Sequence, residues 1–418
     1  MRIALVSAHV SPLAAVGATG SGSQVVHVAE LAAELGRRGH RVTIYTRKDS
    51  ATLPDRVRTG PGVTVEHVPA GPTRALPPYK QLPYMAQFGA YLADRWLREQ
   101  PDIVHAHFWI SGLAALTGAR DLGLPVVQTF HGLGVAARRH EGAECNAGGE
   151  GEGSSARIRL EVAIARGVNA VLATTSDEAF ELARLGVPRN AVSVVPSGVD
   201  VEKFSPEGPV ARRDGCPRLV CVGQLGRHDG LDETMSALSS LPESELLIIG
   251  GPPKPQLRRD REYRRLAKHA KQLGVTGQVK FCGRAGHQDM PALLRSADLV
   301  VCVPWYTSSG LVPLEAMACG TPVVASAVGG HTDTVVDGTT GVLVPPRQPQ
   351  VLARRIRELL ASPMLRQGYG IAGADRARAR YSWPRIAQET VTGYDRIRRT
   401  RPRRHLVSAG TASAGTVK

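Results

Sequence analysis

Residues Pro304–Ser326 read PWYTSSGLVPLEAMACGTPVVAS and hold the strongest case for chemistry in the chain. An apolar run ends at Val303 and a glycine-bearing loop follows. A helical pattern starts near Val312, with Glu315 in its first turn, and Gly320-Thr321-Pro322 leads into another apolar run. A strand–loop–helix turn of this kind aims free backbone N–H groups beyond the strand end, here those of Gly310, Leu311 and Val312. At the positive end of a helix dipole such groups suit a diphosphate. Glu315 offers carboxylate oxygens to ribose hydroxyls. The same carboxylate also stabilises a helix start by about 0.3–1 kcal/mol with no ligand at all. A second turn, Val16–Gln24 (VGATGSGSQ), lets a ligand approach the backbone through its small residues. It lacks the GxGxxG spacing, and no acidic residue closes the second strand, so it is not a dinucleotide fingerprint.

The elements that must position these residues alternate regularly. Short β-branched runs at Arg2–Ser7, Arg41–Thr46, Ile103–Ala106, Val126–Thr129, Ala170–Thr174 and Ser193–Val195 are separated by helical patterns such as Gln24–Gly36. A second series starts after Pro206, with strands at Arg218–Val222, Glu245–Ile249, Val279–Cys282, Leu299–Val303 and Pro322–Ala325. Helices at Asp232–Leu238, Arg259–Leu273, Met290–Ser296 and Leu314–Cys319 fall between them. Strand then helix, repeated, predicts a parallel sheet covered on both faces. The expected fold class is therefore α/β, with two doubly wound Rossmann-like halves: residues 1–200 and 216–380, joined through Asp200–Gly215. A cleft between two such halves opens at the C-terminal ends of their strands. Cys145–Ser155 (CNAGGEGEGSS) reads as a loop over that cleft or as a mere insertion.

Composition narrows the function. The chain has 418 residues, 42% of them hydrophobic, enough for two cores. No apolar run approaches the roughly 18 residues that span a bilayer, and the first ten residues do not read as a signal peptide. The six cysteines show no metal-ligand spacing, as expected of free thiols in a reducing compartment. A cytoplasmic protein without stable membrane insertion is expected. The net charge of +15 gathers in Arg258–Lys271 and in the tail Arg396–Arg404, with no nucleic-acid motif beside it. Solvated surface and a disordered basic tail over 399–418 are expected, and no nucleic-acid partner. His105 and His107 alternate at a strand end and read as satisfied cleft-edge histidines rather than ligands. Trp305 and Tyr306 stack on a ligand or pack beside it, and Ser176-Asp177-Glu178 caps a helix.

The 304–326 segment resembles the donor loop of the family 4 glycosyltransferases, which share the GT-B fold. Gln24–Arg47, Asp102–Gly112 (DIVHAHFWISG), Thr129–Gly132 (TFHG), Pro196–Pro206 (PSGVDVEKFSP) and Val222–Asp232 (VGQLGRHDGLD) match family segments in the same order. Tyr381–Arg398 resembles the family's closing helix, which crosses back to the N-terminal domain. The resemblance implies retaining transfer of a sugar from a nucleotide donor on the C-terminal domain to an acceptor on the N-terminal domain. It implies that Glu315 binds ribose, that His131 faces the donor sugar with Glu315 as the second catalytic-site residue, that Gly310–Val312 hold the diphosphate, and that Gly22 is one of two loop glycines, the other being Ser23. No cofactor or metal is implied beyond the nucleotide-sugar co-substrate, and a homodimer stays open.

The donor site departs from the family pattern. Thr307 stands where the family has the first glutamate, and Ser308 and Ser309 follow it. Gln224 replaces an arginine and Asp229 a lysine, both of which sit on the leaving diphosphate. Losing such contacts in a dry cleft costs about 10²–10³ in rate each. Three readings follow: Arg227 and His228 act as replacement cations on an unusual donor; the chain is a degenerate homologue that binds a ligand or stabilises a partner; or Asp229 and Gln224 hold a divalent metal. On the acceptor side the chain is similar to the inositol-phosphate N-acetylglucosaminyltransferases of mycothiol synthesis. There Arg157 and Lys80 fit two phosphate-binding positions, while Phe108 and Gly132 stand where Tyr and Thr are usual. The expectation is a small-molecule acceptor, such as a thiol, with an unusual GDP-linked sugar, in specialised metabolism of the antibiotic-biosynthesis kind.

Overall fold

The computed structural model describes residues 1–13, 22–141 and 154–400. Most of the Val16–Gln24 turn, the loop at 145–155 except its last two residues, and the tail from 401 lie outside the described residues. The alternating runs form two sheets. The first contains β1 (Arg2–Val6), β2 (Arg41–Arg47), β3 (Arg56–Gly60), β4 (Val63–Val68), β5 (Ile103–His107), β6 (Val126–Thr129), β7 (Ala170–Ala173) and β8 (Val192–Val194), in the order β3-β4-β2-β1-β5-β6-β7-β8. The second contains β9 (Arg218–Val222), β10 (Glu245–Ile249), β11 (Val279–Gly283), β12 (Leu299–Cys302), β13 (Val323–Ser326) and β14 (Gly341–Val344), in the order β11-β10-β9-β12-β13-β14. All neighbouring pairs are parallel except β3 with β4.

Helices cover both faces of each sheet, which is why central strands such as β5 and β10 are buried at every residue. Strand order reverses between β1 and β5 in the first sheet and between β9 and β12 in the second. These are the switch points at which doubly wound sheets open a crevice.

The structure adds three strands to the sequence reading. β3 (RVRTG) is polar and alternates half-exposed residues at a sheet edge, so it carries no apolar run. β4 pairs with it antiparallel, and β14 is only four residues long. Helix Leu311–Ala318 starts one residue before Val312, which puts Glu315 in its second turn rather than its first.

Past the second sheet the chain returns to the first. Val199 donates its N–H to the carbonyl of Tyr381 at 2.8 Å. Trp383, Ile386, Ala387, Tyr394 and Ile397 then pack in one buried cluster with Ile3, Leu5 and Leu35. Gly198 makes room for this return: a Cβ there would lie 2.6 Å from the Trp383 ring.

Candidate active site

A cavity of about 340 Å³ opens at the β9/β12 switch point, where the two halves face each other. Its wall comes almost entirely from the second half, with Ser23 and Val26 of the first helix closing the other side. Gln224, Thr307, Ser309, Leu311, Val312 and Glu315 all line it, so the loop after β9, the loop after β12 and the start of helix Leu311–Ala318 converge as the strand ends require.

Glu315 is 6% exposed and holds one carboxylate oxygen 3.2 Å from His287 Nε2. His287 Nδ1 lies 2.7 Å from Lys203 Nζ, so a Lys–His–Glu chain runs along the cavity wall. Gly310 caps the helix start from behind: a Cβ there would meet Thr334 Oγ1 at 2.0 Å. Thr307 does not offer a free hydroxyl. Its Oγ1 donates to the carbonyl of Ser309 at 2.7 Å and accepts the Ser309 N–H at 3.3 Å, which closes the loop on itself.

Asp229 is the cavity's unexpected group. Its carboxylate faces the space and accepts N–H groups of Gly226 and Gln224. Burial outweighs those hydrogen bonds and pushes its carboxyl up to about 6. Arg227, offered as a replacement cation, is exposed and does not line the cavity. His228 packs edge-on against the Trp305 ring, 4.6 Å between centroids. Trp305 is itself fixed by its indole N–H, which donates to Glu233 at 2.8 Å. Sequence reasoning passed over Arg284 and His287, both on the cavity wall just past β11. The signal was their place at a strand's C-terminal end.

The donor loop also touches the first half directly. Ser308 Oγ donates to the carbonyl of His131 at 3.1 Å, and Tyr306 OH donates to Asp177 at 3.3 Å. The Ser176 N–H donates to Asp333 at 2.6 Å. His131 holds a positive φ of 59°, a conformation that a residue with a side chain adopts at a cost and that is concentrated at functional sites. Burial and the neighbouring His27, His105 and His9 hold its imidazole well below the usual histidine range, so it is neutral at pH 7. Gly132 follows at φ 120°, and a Cβ there would come within 2.9 Å of Ser308 Cβ. A threonine at 132 and a serine at 308 are therefore incompatible in this arrangement.

Of the residues matched to an acceptor phosphate, Arg157, Phe108 and Gly132 come together. Lys80 is exposed, beside Tyr79. Arg157 is buried, with Nε donating to Glu161 at 2.7 Å and Nη2 to the carbonyl of Gly132 at 2.9 Å. Its guanidinium lies 5.1 Å from the centre of the Phe108 ring, and Phe108, at φ 72°, stacks on His9. Gly22 opens the first helix.

The first half of the chain, residues 24–203, matches the model of Glycosyltransferase Family 4, and residues 208–376 match that of Glycosyl transferases group 1. A D-inositol 3-phosphate glycosyltransferase of Nocardiopsis dassonvillei is 34% identical, with 94% of each chain covered. The protein of that name from Mycobacterium tuberculosis is also 34% identical, over 94% of this chain and 83% of its own. Among solved structures, a sucrose-phosphate synthase from Thermosynechococcus elongatus superposes with a TM-score of 0.84 at 29% identity, covering 95% of this chain and 98% of that one. Anabaena HepE, solved with UDP and glucose, shares the fold at a TM-score of 0.71 and 18% identity, over 94% and 99%.

Proposed function

The chain belongs to glycosyltransferase family 4 and is a nucleotide-sugar-dependent GT-B glycosyltransferase acting on a small molecule, and we propose that it transfers an unusual sugar with retention of anomeric configuration. The observation that carries this reading is the cavity at the β9/β12 switch point. The start of helix Leu311–Ala318 and Glu315 line one space there, sized for part of a nucleotide.

In this reading the N–H groups of Leu311 and Val312 receive the leaving diphosphate through the helix dipole. Glu315, steadied by His287, takes the ribose hydroxyls. Neutral His131 faces the sugar from the opposite half. Because Asp229 adds a carboxylate where the family carries a cation, amide dipoles bear most of the phosphate charge, with Arg284 on the cavity wall as a positive side chain. The Thr307 hydroxyl is spent within its own loop, so the donor sugar lacks the carboxylate partner that the family supplies. This supports an unusual donor, of which a GDP-linked sugar is our choice.

The acceptor side supports an acceptor without a clamped phosphate, since Arg157 is committed to Glu161 and to the Gly132 carbonyl while Lys80 stands in solvent. A small thiol of specialised metabolism fits that description. Inositol 3-phosphate is the second reading, favoured by the names of the relatives at 34% identity. A degenerate, binding-only homologue is not favoured, because the relatives that match over 94% of this chain are named as glycosyltransferases. The test is calorimetric binding of GDP, UDP and ADP, followed by incubation of nucleotide sugars with a panel of thiols and inositol 3-phosphate. Product mass and anomeric coupling by NMR identify donor, acceptor and stereochemistry. Failure of all three nucleotides to bind at millimolar concentration would overturn the enzyme reading.

A further inference from the structure

Three histidines on three separate elements meet beneath the cleft. His27 stands on helix Gly22–Arg37, His107 ends β5 and His131 follows β6. One ring nitrogen of each lies within 4.8 Å of the other two. His107 Nδ1 and His131 Nε2 are 3.0 Å apart. The His27 ring centre is 4.9 Å from that of His131 and 5.6 Å from that of His107. A tetrahedral zinc ion with Zn–N bonds of about 2.0–2.1 Å holds its nitrogens about 3.4 Å apart. The closest pair opens by a few tenths of an ångström to reach that spacing, and ring rotation that closes up to about 1.4 Å brings in the third.

The surroundings fit ligands rather than packing residues. His27 Nδ1 is 3.2 Å from Ser197 Oγ, an outer partner that orients the ring and leaves its Nε2 for the cluster. A metal bound at His107 Nδ1 takes the place of the proton shared with His131 and leaves the ring proton on Nε2. Three imidazoles without a carboxylate select borderline transition metals over magnesium or calcium.

We propose that His27, His107 and His131 form a binding site for a divalent transition metal of the zinc class. Such an ion ties the first helix to the ends of β5 and β6. It also occupies His131, so metal and donor sugar compete for that side chain; this consequence alone rests on the function proposed above.

The test titrates Co²⁺ into the full chain, purified without a histidine tag and stripped of metal. One equivalent should give the visible d–d bands of tetrahedral Co²⁺, bleached by one equivalent of Zn²⁺. His27→Gln and His107→Gln should each weaken binding at least tenfold. His40→Gln should leave it intact, although His40 sits 3.2 Å from the N-terminal amine and offers the rival nitrogen pair. Far-UV circular dichroism checks folding, and His27→Gln decides should His107→Gln fail to fold, because its ring nitrogens hold only the Ser197 contact. Absence of the tetrahedral spectrum at millimolar Co²⁺, or its loss in His40→Gln alone, would overturn the site. Zn²⁺ binding without inhibition of sugar transfer would overturn the competition at His131.

Discussion

Replacing Asp229 by asparagine removes a carboxylate from the loop that links β9 to the next helix and keeps its shape. In the folded chain burial raises this carboxyl from 3.8 to about 6. A difference of about two pKa units corresponds to at most about 3 kcal/mol. The sign follows from which state holds the proton. Below the unfolded value of 3.8 both states are protonated and the group carries no penalty. Stability is then lost as pH rises through the folded value near 6, above which the penalty is complete. Asp229→Asn should therefore match the wild type near pH 4 and exceed it by up to about 3 kcal/mol at pH 8. Urea unfolding of both proteins across that range, followed by circular dichroism, measures the gap. A gap that does not change with pH, or a wild type that is the more stable at pH 8, would refute the idea that burial dominates this carboxylate. The same group lines the cavity proposed to hold the diphosphate. If binding needs the protonated form, that fraction falls from about one half at pH 6 to about one hundredth at pH 8. The affinity of wild type relative to Asp229→Asn should then drop about 50-fold over the same range, as calorimetry with a nucleoside diphosphate would read.

Glu315→Ala should weaken nucleoside diphosphate binding at least tenfold, the scale of a lost hydrogen bond to a charged group; unchanged affinity would place the ribose elsewhere. Restoring both family cations, with Gln224→Arg and Asp229→Lys, should lower turnover on the native donor if the site is specialised; a gain on common donors would instead indicate decay. Gly132→Ala should destabilise the chain by about 1–3 kcal/mol, because it strains a φ of 120° and meets Ser308. Ser308→Gly should recover only the contact part of that loss in a double-mutant cycle by urea unfolding. Arg157→Ala removes the ion pair of Glu161, itself 1% exposed, and leaves that carboxylate its bond from the Gly134 N–H. That should cost about 3–5 kcal/mol in the same measurement.

The sequence reveals the doubly wound halves because parallel strands buried on both faces must be written as apolar runs, and β1, β2, β5 and β10 are. It conceals β3 because an edge strand half in solvent, RVRTG, has no such run to show. The donor loop is readable because its chemistry is local: Ser309, Leu311, Val312 and Glu315 are neighbours in the chain and in the cavity. The approach of His27, His107 and His131 is not local, since three elements must first take their places. Arg157 is an intermediate case. Its tie to Glu161, four residues on and on the same helix face, follows i,i+4 spacing, yet the sequence reading did not draw it. The claim of the Gly132 carbonyl on the same guanidinium follows no such spacing. Asp229 shows the limit most clearly: its identity is in the sequence, but its direction, toward the cavity rather than out to water, is a property of the folded loop.

The return of helix Trp383–Thr400 to the first half bears on how the chain matures. A ribosome releases the N-terminal half long before Trp383, Ile386 and Tyr394 exist, so that half emerges with one face of its interior uncovered. It cannot finish assembling until translation is almost complete, and during that interval its bare apolar face invites chaperones or aggregation. Chimeras built to exchange acceptor and donor modules must respect the same dependence: residues 383–400 travel with the amino-terminal portion, although they are encoded at the opposite end.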